Sequence, residues 1–253
     1  MGHRGIWYNT DVLTIDIISV QPKMFEGFLT ESIVARAVKK GACRLNVVDL
    51  REFGDGRWRK VDDRPYGGGP GMLMKCGPWF AAVESVVAAA ETPPPRVIMT
   101  SPAGRRFAQR DAAELSGESH IVFMCGHYEG FDARVETLAT DMFSVGDFVM
   151  TGGELAAAAM ADAIVRLLPG VLGGGPAATS SESFGPDGLL EAPQYTHPPE
   201  FRGMRVPEVL LSGDHRRIEV WRKAESRRIT AALRPDIQRH APDGSSCLDG
   251  ERG

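Results

Sequence analysis

Apolar positions in this chain fall into two patterns, short unbroken runs and longer stretches with helical spacing. The run Val12-Leu13-Thr14-Ile15-Asp16-Ile17-Ile18-Ser19-Val20 is rich in β-branched residues and predicts a buried strand stopped by Pro22. Between Phe28 and Lys40, Phe28, Ile33, Ala37 and Val38 recur at roughly helical spacing, and Gly41 is a natural stop. Arg44 to Leu50 predicts a second strand and Trp79 to Ala90 a helix. A third strand, Arg96 to Thr100, is expected to end at Ser101-Pro102. Residues 108–116 predict another helix, and His120 to Cys125 a strand that runs into glycine. Strands that are apolar throughout and alternate with helices predict an α/β fold around a mainly parallel sheet.

The pattern changes at Gly173-Gly174-Gly175-Pro176-Ala177-Ala178-Thr179-Ser180-Ser181, a compositional break that reads as a linker. Beyond it, Pro207 to His240 carries charged helical stretches with Trp221 and Ile229 to Ala232 as apolar anchors. Five segments are therefore expected: an extension over 1–12, a ligand-binding domain over 13–172, a linker over 173–185, a small helical domain over 186–240 and a disordered tail over 241–253.

Composition narrows the function classes. With 253 residues, 43% hydrophobic and 25% charged, the chain suits one large domain or two modest ones. A formal charge of −4 excludes a general nucleic-acid coat, so any basic surface must be local. Cys43, Cys76, Cys125 and Cys247 form no C-x-x-C pair and read as reduced thiols. The N-terminus has no signal-peptide core, and the apolar stretch Leu155 to Leu172 is interrupted by Asp162, Arg166 and Pro169. A soluble cytoplasmic protein without a membrane partner is expected.

In a parallel α/β sheet, ligands bind where loops leave the carboxyl ends of the strands. Three such loops are rich in glycine, which lets the backbone approach a ligand closely. They are Ser101-Pro102-Ala103-Gly104, Cys125-Gly126-His127-Tyr128-Glu129-Gly130-Phe131-Asp132, and Ser144-Val145-Gly146-Asp147-Phe148-Val149-Met150-Thr151-Gly152-Gly153-Glu154-Leu155. Any one alone would read as a tight turn. A fourth loop, Gly67 to Gly71, lacks the Gly-Lys-Ser/Thr ending of a phosphate cradle. Arg57, Trp58, Arg59, Lys60 and Arg64 precede or flank it and suit an RNA contact. On composition alone, a solvated loop balanced by Asp55, Asp62 and Asp63 fits equally well.

Taken in order with Val61-Asp62-Asp63-Arg64-Pro65-Tyr66-Gly67-Gly68-Gly69-Pro70-Gly71-Met72, Arg166 to Gly173, Gly188 to Pro198 and Val206 to His215, these loops resemble the TrmD family of bacterial tRNA (guanine-N1)-methyltransferases, of the SPOUT class. The resemblance runs from about Leu13 to Arg222. It implies a parallel sheet with a deep trefoil knot, which the general rules of topology would not supply, and a small helical C-terminal domain. It further implies S-adenosyl-L-methionine as methyl donor, held by Ser101, Pro102, Gly104, Gly126, Tyr128, Glu129, Gly130, Val145, Gly146, Phe148, Val149, Met150, Gly152 and Gly153. The implied reaction methylates N1 of the guanosine just 3′ of the anticodon.

That nitrogen carries a proton at neutral pH, so the reaction needs a base, and a cation to stabilise charge on O6. The resemblance assigns the base to Glu182, within Glu182-Ser183-Phe184 where the family has Asp-Ser-Phe, and the cation to Arg166. Glu182 could instead be a solvent-facing linker acid, and Arg166 could pair with Asp162 one helical turn earlier. Magnesium enters by the same route, with Glu129 a conceivable contact, but no cluster has metal-site spacing and no metal residue is named. Between Glu200 and His240 ten basic residues face six acidic ones, where the family places its tRNA-gripping domain. A homodimer sharing its active site between subunits is also implied. His127 and Gln21 depart from the family pattern without an evident reason. Two alternatives stand beside this reading: a tRNA-binding homologue impaired by the Asp-to-Glu change, and a SPOUT enzyme acting on the ribose 2′-hydroxyl.

Overall fold

The computed structural model describes residues 12–90, 93–173, 179 and 182–238. The chain divides into two compact units, Met1–Gly173 and Gly174–Gly253. The expected tail, nearly all of the N-terminal extension and most of the glycine-rich linker lie outside the described residues.

The first unit is built on strands β1 (Leu13–Ser19), β2 (Cys43–Asp49), β5 (Arg96–Arg106), β6 (His120–Cys125) and β7 (Asp141–Ser144). They form one sheet in the order β2-β1-β6-β5-β7, with every pairing parallel. Between β2 and β5 lies a minor antiparallel pair, β3 (Asp62–Asp63) and β4 (Leu73–Met74). Helices α1 (Glu26–Thr30), α2 (Ser32–Lys39), α3 (Cys76–Ala89), α4 (Gln109–Leu115) and α5 (Glu154–Val165) complete the unit.

Both faces of the sheet are buried, which is why its strands read as continuous apolar runs. Leu13, Ile15 and Ile17 of β1 and Ile121, Phe123 and Cys125 of β6 meet α2, α4 and α5 on one face. The alternate residues Ile18, Val122 and Met124 meet Trp79, Ala82 and Val83 of α3 on the other. From α5, Ala156, Ala157, Met160, Ala161, Ile164 and Val165 are buried. Its small side chains let the helix lie close to the strands.

The structure corrects several sequence-based expectations. The helix expected over Phe28 to Lys40 is two helices, because Glu31 is extended (φ −119°, ψ 158°) and Ser32 takes φ 64°. The third strand does not end at Ser101-Pro102; β5 continues to Arg106 with a register shift between Thr100 and Arg105. That irregularity accommodates Pro102, which cannot donate to a regular ladder. Strand β7 and helix α5 were not anticipated as elements, since β7 is short and the α5 sequence is apolar all round.

The second unit contains the two-stranded pair β8 (Glu200–Phe201) and β9 (Met204–Arg205), then α6 (Glu208–Leu211), α7 (His215–Leu233) and α8 (Pro235–Gln238). Of the expected anchors, Trp221 and Ile229 are half-buried, whereas Ala231 and Ala232 are exposed and the polar Thr230 is fully buried. The Thr230 hydroxyl bonds the Ser226 carbonyl at 2.7 Å and accepts the Leu190 N–H at 2.9 Å, so burial leaves it satisfied. Among the described residues no helix is long and apolar enough to cross a membrane.

Two predictions follow from local geometry. A Cβ on Gly104 would lie 2.6 Å from the backbone of Met142 and Phe143, so Gly104→Ala forces β5 and β7 apart. We expect a loss of about 1–3 kcal/mol in urea unfolding; unchanged stability would refute the close approach. Asp132 caps the 3₁₀ turn Ala133–Leu138: its carboxylate accepts from the Arg134 side chain at 2.7 and 2.8 Å and from the Arg134 N–H at 3.0 Å. These bonds, the side-chain ones foremost, hold its pKa at about 2. A depressed folded pKa adds stability above the unfolded value of about 4 and loses it as pH falls toward about 2. Asp132→Ala should therefore cost about 1 kcal/mol at neutral pH. The gap to wild type should narrow with acid; a gap independent of pH would contradict the cap.

Candidate active site

The carboxyl ends of β1 and β6 are neighbours from which the chain leaves in opposite directions, toward β2 and toward β7 respectively. The glycine-rich loops lie on the β7 side of this reversal, at the carboxyl ends of β5, β6 and β7.

The loop after β6 is fixed from two sides. On one, Met72 to Met74 runs beside it as an added strand: Met74 N–H donates to Gly130 O at 2.9 Å, Glu129 N–H to Met72 O at 3.0 Å, and Asp132 N–H to Met74 O at 2.9 Å. The Gly67–Gly71 loop is thereby carried to Glu129, whose carboxylate fills the space a Cβ on Gly71 would need. On the other side, the chain returns from edge strand β7 and pairs with the loop through His127 and Gly152. Gly153 N–H donates to Gly126 O at 2.7 Å. A Cβ on Gly153 would overlap the Thr100 hydroxyl and lie 3.1 Å from Gly126 N, so only glycine lets three strand ends meet here.

Ser101, Pro102 and Gly104 stand in the irregular part of β5, beside β7. After β7, the Ser144 hydroxyl closes a tight turn with the Gly146 carbonyl at 2.9 Å. Val145 and Met150 pack on the core, whereas Phe148 is exposed and Val149 is 89% exposed. Tyr128 holds φ 57°, a left-handed conformation uncommon for a bulky residue, and its ring lies 5.1 Å from that of His127. The structure thus gathers the residues expected to hold the donor around the ends of β5, β6 and β7.

One residue of this site escaped the sequence reading. Glu154, 1% exposed, opens α5 directly beneath Gly152-Gly153 and accepts the Ser19 hydroxyl at 2.7 Å. The Ser19 oxygen in turn accepts Gln21 N–H at 2.8 Å, so the carboxylate ties the return loop to the end of β1. Its place at a helix N-terminus favours the negative charge. Burial, and then this neighbouring charge, push the Cys125 thiol well above its ordinary range, which keeps it protonated and inert. The available signal was a glutamate following Gly-Gly at the head of an apolar run.

The two residues assigned to chemistry lie in different units. Arg166 closes α5, its N–H bonded to Asp162 O at 3.1 Å. Glu182 is half-buried and begins a compact turn in which Gly185 N–H bonds Glu182 O at 3.1 Å and Phe184 N–H bonds Leu189 O at 2.8 Å. The Ser183 hydroxyl accepts Glu191 N–H at 3.0 Å, and the Ser226 hydroxyl donates to Leu190 O at 2.6 Å. This turn is thereby tied to α7. Glu182 lines an open cleft of ≈ 960 Å³ with Leu190, Tyr195, His197, Arg222 and Arg227.

Ion pairs neutralise only some of the basic residues in this unit. Arg205 pairs with Glu200, Lys223 with Glu219, Arg228 with Glu225 and Arg234 with Asp236, at 2.7–2.8 Å. Among the described residues Arg202, Arg216, Arg217, Arg222 and Arg227 are exposed and join no ion pair. Arg239 lies outside the described residues.

A model of the family described as tRNA (Guanine-1)-methyltransferase TrmD matches residues 13–240. A tRNA (guanine-N(1)-)-methyltransferase of Geobacillus kaustophilus is 51% identical over 226 residues, covering 89% of this chain and 91% of the relative. One from Geobacter sulfurreducens is 50% identical over 238 residues, covering 94% and 96%. One from Listeria innocua is 48% identical over 231 residues, covering 91% and 94%. A match over residues 13–240 and identities near one half across nine-tenths of the chain place it in the TrmD family of tRNA (guanine-N1)-methyltransferases.

Proposed function

We propose that the protein transfers a methyl group from S-adenosyl-L-methionine to N1 of the guanosine just 3′ of the anticodon in tRNA. The observation that carries this reading is the packing of the Ser101–Gly104, Gly126–Gly130 and Val145–Gly153 segments at the ends of β5, β6 and β7, so close that a Cβ at Gly153 would overlap the Thr100 hydroxyl. Main-chain groups of such turns suit an adenine edge, and Tyr128, Phe148 and Val149 offer apolar surface to its rings. The donor supplies an electrophilic methyl carbon on a sulfonium, and its sulfur keeps the electron pair of the broken C–S bond.

The protein's part is positioning and proton transfer. Glu182 takes the N1 proton, which frees the nitrogen lone pair to form the new N–C bond. Arg166 stabilises the negative charge that gathers on O6 as the proton leaves. Holding N1, carbon and sulfur in line supplies a further share of the acceleration. Arg202, Arg216, Arg217, Arg222 and Arg227 serve as the phosphate contacts, which reconciles an acidic chain with an RNA substrate.

Several finer features belong to the same reading. The chain's return from β7 to Gly126 supports a knotted path through the sheet. Exposed Leu155 supplies apolar surface for a second copy, so that Glu182 of one subunit would serve the donor site of the other. The site of action is then the cytoplasm, consistent with the free thiols of Cys43, Cys76 and Cys125. Among the described residues no three His, Cys, Asp or Glu side chains cluster to hold a metal ion.

Methyl incorporation into tRNA, with the position of the methyl mapped, tests this function. Methyl on the ribose, or none above a no-enzyme control, would overturn it. Glu182→Gln should lower turnover by about 100-fold or more while donor affinity, measured by calorimetry, stays the same. Glu182→Asp should remain active. Full turnover in the glutamine variant would remove Glu182 from the mechanism.

A further inference from the structure

The basic segment ahead of the Gly67–Gly71 loop plays no part in the mechanism above, yet its geometry is specific. Residues Asp55 and Lys60 close a hairpin through two backbone bonds, Asp55 N–H to Lys60 O at 2.9 Å and Lys60 N–H to Asp55 O at 3.0 Å. Inside it Arg59 N–H bonds Gly56 O at 3.1 Å, and Gly56 and Arg59 both hold positive φ. Gly54 lies so close under Arg59 that a Cβ would overlap the Arg59 carbonyl. The tip is therefore an ordered platform, and Trp58 stands on it 80% exposed.

An indole left in water on an ordered turn forgoes the burial that usually justifies so large a side chain. Trp58 is also oriented: the Arg57 guanidinium lies 4.6 Å from its ring centroid, covering one face and leaving the other open. The surrounding charge is not self-neutralised. Lys75 pairs with Asp55 and Lys60 with Asp63, so two of the three nearby aspartates are already engaged by lysines. Among the described residues Arg57, Arg59 and Arg64 join no ion pair. A flat aromatic face set among uncommitted guanidinium groups is the arrangement that receives a nucleobase while its flanking phosphates are held.

We infer that the hairpin tip is a nucleobase-stacking site, in which Trp58 receives an unpaired base of the RNA substrate and Arg57 and Arg59 hold the adjoining phosphates. The inference rests on the reading that tRNA is the substrate. It adds to the first unit an RNA contact separate from the basic surface of the second. Because stacking recognises a π-face, the site takes single-stranded or loop nucleotides and is indifferent to a blunt duplex.

The test uses the full chain with Trp58→Ala and Trp58→Phe. Affinity is measured for tRNA, for a blunt RNA duplex and for the methyl donor, and the thermal midpoint is recorded. Trp58→Ala should bind tRNA about tenfold more weakly and raise KM for tRNA with little change in kcat. Trp58→Phe should recover most of that loss, whereas duplex binding, donor affinity and thermal midpoint should not change. If wild type binds tRNA and Trp58→Ala binds it equally well, the stacking site is wrong and the methyltransferase reading survives. Equal losses on tRNA and duplex would reduce the hairpin to a charged surface and also overturn the proposal. If wild type binds no tRNA, the functional reading fails and takes the stacking site with it.

Discussion

The contact on which this molecule turns is the approach of one backbone to another at Gly126 and Gly153, joined by a 2.7 Å hydrogen bond. It brings the chain back from the sheet edge to its middle and sets the head of α5 under the ends of β1 and β6. With Thr100 packed against the same spot, side-chain volume at Gly153 is excluded.

Beneath that contact, Glu154 answers a question of accounting. A carboxylate removed from water is tolerated when a hydrogen bond and a favourable dipole offset its desolvation, and the Ser19 hydroxyl and the start of α5 provide both. The residue thus holds β1, β6 and the return loop as one rigid floor. A floor of that kind lets the loops above remain open, with Phe148 and Val149 in solvent, without loosening the sheet.

Charge is arranged by the same economy of place. The chain is acidic overall, yet among the described residues Arg57, Arg59 and Arg64 at and after a hairpin tip in the first unit, and Arg202, Arg216, Arg217, Arg222 and Arg227 in the second, join no ion pair. Local pairing decides which cations stay available: Arg205, Lys223, Arg228 and Arg234 are committed to carboxylates close to them in sequence. The remainder are free to exchange counterions for phosphates.

The sequence by itself determined the class of fold. Ile15, Ile17 and Ile18, or Ile121 to Met124, are apolar on successive positions, and only a sheet covered on both faces buries such runs. It also marked the glycine loops and the basic excess, because each is a matter of residue type at short range, whereas Glu182 stood out only through the family resemblance. Tertiary structure alone decided the rest. Ser101 to Gly104 became part of a strand because β7 lies beside it, and Glu31 and Ser32 broke a helix that the periodicity joined. Glu154 was buried, and Thr230 displaced its alanine neighbours as the inner residue of α7, through partners far away in the chain. Hydrophobic period is written locally, whereas strand pairing, steric exclusion and the satisfaction of a buried polar group exist only once distant segments meet.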